Sequence, residues 1–221
     1  MLNLKKLLFG RGSAPAKLAD DVRGALEAWR KLPAPPLDEP HFHSRYVVVD
    51  VSVAGLDAEV DALLGIAAVA VVRGGVVPPE EVIAIDFSGE LEADAFDRQL
   101  MAFLAFMAKA PLVSYRVPLV RAFLERAFRE RLGLDFQPDW IDLAWLLPDL
   151  FNERIDGIVP RDAWLESFHI PASPGRDSVV NAIALARLLQ VALPRAVERE
   201  ADTPGKVLEK AMARRQLRQS G

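Results

Sequence analysis

One stretch constrains the fold more than any other: Tyr46-Val47-Val48-Val49-Asp50-Val51-Ser52-Val53. A β-branched run of this kind belongs in the middle of a sheet that is covered on both faces. It also carries an acid, Asp50, near its centre. A carboxylate on a buried strand is costly unless something balances its charge. The surroundings of Asp50 are therefore the first place to look for function.

The flanking segments complete an α/β pattern. Residues 16–31 read as an amphipathic helix, with Leu18, Val22, Leu26 and Trp29 at helical spacing. A stiff connector, Leu32-Pro33-Ala34-Pro35-Pro36, stops it. Strands are expected over Arg45–Val53, Leu63–Val72 and residues 76–88, the last two joined by the turn Arg73-Gly74-Gly75. A helix over 92–109, a short strand over 111–115 and a helix over 119–132 follow. A strand then ends at Trp140–Asp142, residues 143–151 and 162–168 turn helical, and a long apolar helix covers 178–193. This order implies a mixed five-stranded sheet with helices on both faces. Residues 1–40 are expected to form a helical extension with its proline-rich connector, and 41–193 the domain. Residues 194–221 are expected to be a charged, basic tail, partly helical over 196–219.

Composition excludes several chemistries. None of the 221 residues is cysteine, which removes disulfides, thiolate metal sites and cysteine nucleophiles and fits a cytoplasmic protein. No apolar run reaches the roughly 18 residues of a membrane span. The net charge is −4, but residues 1–17 and 206–221 each carry +4, which leaves −12 on residues 18–205. A nucleic-acid binder needs a basic face. Here only the termini offer one, either as solubilising ends or as contacts to nucleic acid, membrane or an acidic partner.

Three motifs then align with a known family. The first strand reads Val49-Asp50-Val51-Ser52-Val53-Ala54-Gly55-Leu56, followed by Gly65-Ile66-Ala67-Ala68-Val69. A second motif reads Leu112-Val113-Ser114-Tyr115-Arg116-Val117-Pro118-Leu119-Val120. The third, Arg176-Asp177-Ser178-Val179-Val180-Asn181, opens the last long helix. Across residues 42–193 the chain resembles the DEDD (DEDDh) 3′–5′ exonuclease superfamily, in particular the epsilon-type proofreading exonucleases of bacterial DNA polymerase III. The resemblance implies a ribonuclease-H-like fold. It also implies metal-dependent hydrolysis by four carboxylates and a histidine, with magnesium or manganese as cofactor. Two metals about 3.5–4 Å apart need such a cluster of hard oxygen ligands.

At the matching positions the chemistry is missing. Asp50 keeps the first carboxylate, but Ser52 stands for the second, Val120 for the third and Asn181 for the fourth. Arg176 replaces the general-base histidine and stays protonated. Four of the five positions are therefore changed. The expectation is a catalytically inactive, metal-free member that serves as a partner-binding or regulatory module, its partner an unknown protein, with nucleic acid as a weaker second contact. The alternative is an active exonuclease on DNA or RNA. Arg176 is expected to replace the metals as the counter-charge of Asp50, with Asn181 or Ser52 in the same network.

Other candidates are weighed beside these. Asp57, Asp61, Asp86, Asp142 and Asp177 are the acids available to rescue a metal site, and Asp142 also reads as a helix cap. His41 and His43 fall on one side of an extended chain, either as a metal pair or as surface residues. His169 is expected to be a packed loop residue, and Tyr115 with Arg116 either fills a pocket edge or stacks a base. Trp140, Trp145 and Trp164 are expected in the core.

Overall fold

A computed structural model describes residues 18–89, 92–172 and 177–219, the side chains of 217–219 excepted. Five strands form one sheet in the order β3-β2-β1-β4-β5. They are β1 (Arg45–Val53), β2 (Leu63–Val72), β3 (Val82–Asp86), β4 (Leu112–Ser114) and β5 (Trp140–Asp142). β1 pairs antiparallel with β2 and parallel with β4, β3 is antiparallel to β2, and β5 is parallel to β4. The expected mixed five-stranded sheet is therefore present.

The helices are α1 (Asp20–Arg30), α2 (Ala93–Met107), α3 (Val117–Leu132), α4 (Leu143–Leu150), α5 (Arg161–Ser167), α6 (Ser178–Glu198) and α7 (Pro204–Gln219). Alternation along β1 divides the core. Tyr46 and Val48 join the cluster under α4, α5, α6 and α7, whereas Val47 and Val49 join the one under α1, α2 and α3. Asp50 and Ser52 share the parity of Tyr46 and Val48, so they face α6. A bulge between Ser52 and Val53 loosens the register at the end of β1. Opposite Ser52 lies Gly65, where a Cβ would sit 2.8 Å from the Ile85 carbonyl oxygen, so only glycine lets β2 and β3 pair this closely.

Four expectations need correction. The third strand is short: Val76 makes only an isolated bridge to Val72, and β3 begins at Val82. Pro78 and Pro79 intervene, and neither can donate to a ladder. The long helix does not stop before Pro194 but continues to Glu198, because Ala192, Leu193 and Ala196 are buried. Packing outweighs the lost backbone bond there. The C-terminal segment is not a solvated tail: Ala201, Val207, Leu208 and Ala211 enter the core on the α6 side. At the other end, Val22, Leu26 and Trp29 enter the opposite cluster, so the core draws on residues outside 41–193. By length and composition α6 could cross a membrane, but half of its most apolar stretch is buried inside the protein against β1 and β2.

The histidine pair is the fourth. Residues His41–His43 form a 3₁₀ turn, which buries His41 and leaves His43 exposed. His41 Nε2 donates to the Ala201 carbonyl at 2.9 Å, so its Nδ1 must accept from the Tyr46 hydroxyl, 2.6 Å away. This links the start of β1 to the turn before α7. Burial pushes the His41 pKa below its ordinary 6.5, although the Ala201 carbonyl and Asp202 oppose the shift. The unfolded chain thus binds this proton more readily than the folded one. The stability that neutral His41 contributes is complete above pH 6.5 and is lost as pH falls toward its depressed folded value. Urea midpoints measured through that window should fall for the native chain and fall less for His41→Phe.

Candidate functional site

The site is built on the face of β1 that α6 covers. Asn181, in the first turn of α6, donates from Nδ2 to Asp50 Oδ2 at 3.1 Å. Asp177 fixes that turn, because its carboxylate accepts from the backbone N–H groups of Val179 and Val180. It is an N-cap, with its side chain turned to the helix end. Ser52 lies farther along the same face and lines a cavity of about 410 Å³ with Gly65, Asp86, Ser88 and Asp177.

Burial pushes the Asp50 carboxyl above the ordinary carboxylate range. The Asn181 amide, the Arg161 charge and the Val51 N–H each oppose that shift. Arg161 opens α5 and was not singled out in the sequence; its only local signal is the proline before it. The expected Asp50–Arg176 contact lies outside the described residues, because 173–176 are not described. Tyr115 is half-buried and its hydroxyl donates to the Val159 carbonyl at 2.5 Å. Burial raises its pKa to about 12. It closes an edge of the core, the first of its two expected roles. Arg116 is exposed in a left-handed conformation, φ 60°.

Val120 does not join Asp50. It is 3% exposed and belongs to the apolar cluster under α1, α2 and α3. The turn that carries it is held by Asp142, whose Oδ1 accepts from Arg116 N at 2.9 Å and whose Oδ2 accepts from Val117 N at 3.0 Å. The same Oδ1 accepts from Ala144 N at 3.0 Å and caps α4. Asp142 is thus a structural carboxylate that pins the starts of two helices.

The remaining acids are engaged elsewhere. Asp61 accepts from Asp57 N within the β1–β2 loop, and Arg126 donates to the Asp61 carbonyl. Asp86 accepts from Ser88 N. No group of three or more histidines, aspartates or glutamates suited to a metal occurs among the described residues. His169 is exposed at φ 56°, ending α5 rather than packing in the core. Trp164 is buried as expected, but Trp140 and Trp145 are only half-buried.

The donor set does not fit a pair of divalent cations. Asp50 brings one carboxylate, Asn181 presents N–H to it, Ser52 is neutral, and Val120 is apolar and packed in the other cluster. Hard cations of this class need several anionic oxygens.

No family model and no curated protein matches the chain. Solved structures do. Exonuclease I of E. coli in complex with a dT13 oligonucleotide superposes with a TM-score of 0.55 and 12% identity, over 71% of this chain and 42% of that one. The zinc-bound E. coli exonuclease I–ssDNA complex gives a TM-score of 0.52 and 14% identity, over 72% and 42%. The chain has the ribonuclease-H-like exonuclease fold. That fold, shared with the DEDD exonucleases, is what the motif resemblance implied. The chain spans about two-fifths of the length of these exonuclease I chains, which is 42%. At this identity the likeness concerns architecture, and function has to be argued from the site.

Proposed function

We propose that this chain is an exonuclease-fold domain, resembling the epsilon-type proofreading enzymes, that has no nuclease activity and works as a partner-binding or regulatory module. The burial of Val120 carries this reading: where a metal-binding carboxylate would stand, a valine 3% exposed packs into the core. Asn181 supports it, since its amide replaces a ligand with a hydrogen-bond donor to Asp50. A lone Asp50 whose burial favours its neutral form is a poor anchor for a cation.

The partner is proposed to be a protein. Lys206, Lys210 and Arg214 pair with Asp202, Asp149 and Asp156. Much of the C-terminal positive charge is thus matched within the chain and is a weak basis for binding phosphates.

A nuclease assay with Mn²⁺ on single-stranded DNA and RNA tests the reading. No cleavage above the Asp50→Ala control is expected. Cleavage by the native chain that disappears in Asp50→Ala would overturn it.

A further inference from the structure

A second cavity lies away from Asp50, at the outer edge of β5, and encloses about 560 Å³. Small-molecule sites occupy roughly 300–1,000 Å³. One stripe of α3, including Pro118 and Ala122, forms one wall. Leu208, Met212 and Arg215 of α7, spaced by four and three residues, form the other. Trp140 and Trp145 complete the lining. Met212 is 56% exposed, whereas its neighbours on the stripe, Leu208 and Ala211, are buried.

The charges within the cavity are not equivalent. Arg121 donates to Glu125 at 2.6 Å and to Gln137 at 2.9 Å, so it is already matched. Asp142 has both carboxylate oxygens on backbone N–H groups. Arg215 reaches Asp142 only through its charge, and among the described residues no carboxylate bridges it. One guanidinium is therefore left without a carboxylate partner on a cavity wall that an indole and a thioether also line. Indole and thioether surfaces favour flat aromatic rings. A guanidinium adds a charge-assisted bond to an anion.

We propose that this cavity binds a flat aromatic molecule carrying a single negative charge, its ring against Trp145 and Met212 and its anionic group on Arg215. Asp139, which no cation bridges among the described residues, lines the same cavity and selects against polyanions. The site is separate from Asp50 and holds whether or not the domain cleaves nucleic acid.

Titration of the full chain with naphthoate, followed by the tryptophan indole N–H resonances, tests this. Saturable shifts of the Trp145 signal are expected, with affinity about tenfold above that of neutral naphthamide, as one charge-assisted bond implies. Adenosine triphosphate should bind more weakly than naphthoate. Arg215→Ala, at an exposed position, should abolish the preference for naphthoate over naphthamide and leave the melting temperature unchanged. Met212→Glu should weaken naphthoate binding further. No saturable shift at millimolar naphthoate, equal affinity for acid and amide, tighter binding of the triphosphate, or a preference that survives Arg215→Ala would overturn the proposal.

Discussion

Val120→Asp, the change that writes into the second motif the carboxylate of the exonucleases it resembles, is expected to destabilise the fold by about 3 kcal/mol or more. Val120 is 3% exposed and packs within an apolar cluster. The carboxylate would have to ionise at a heavy desolvation cost, stay protonated, or drag the first turn of α3 outward. Any of these lowers the urea midpoint. Mn²⁺ should not restore it, because Asp50 faces α6 and not this cluster. Val120→Ala supplies the control for lost packing alone, at about 1–2 kcal/mol. A Val120→Asp protein as stable as Val120→Ala would show that the position opens toward water or toward the site.

Asp142→Ala is expected to cost a similar amount, about 3 kcal/mol, by a different route. It leaves the N–H groups of Val117 and Ala144 without their acceptor in a buried setting, and that of Arg116 in a partly buried one. Each orphaned buried donor costs roughly 1–3 kcal/mol, and the raised pKa of Asp142 shows that its own burial already offsets part of that gain. Arg116 adds to the effect, since its left-handed backbone is unfavourable without that tether. Asp142→Asn keeps an acceptor and should recover about half of the loss. Chemical denaturation of both variants, with unchanged slope, is the check. An Asp142→Ala protein of native stability would mean that water replaces the carboxylate at both helix starts.

The β-branched run of β1 and the small-residue strand β2 were legible in the sequence because strand propensity and two-sided burial agree there. Of the two neighbours that motif spacing offers Asp50, Asn181 and Ser52, it is Asn181 that bonds it; the charge of Arg161 on Asp50 was not legible. Arg161 lies far from both in the chain, and only the path of the loop before α5 brings its charge to bear on Asp50. The tail was misread because α7 carries so many charges. Its apolar positions, Val207, Leu208 and Ala211, are few, and their burial depends on α4 and β5, which no local pattern shows. His41 was misread for a related reason. Its partners are Tyr46 and a carbonyl 160 residues away, so only tertiary structure separates it from His43.

One carboxylate, one amide and a valine packed into the opposite cluster do not suit a two-metal centre. Calorimetric titration of Mn²⁺ into the native chain and into Asp50→Ala measures this directly. The expected result is the same weak, non-saturating heat for both proteins. Saturable binding of two ions to the native chain, abolished by Asp50→Ala, would show that a two-metal centre does assemble around Asp50.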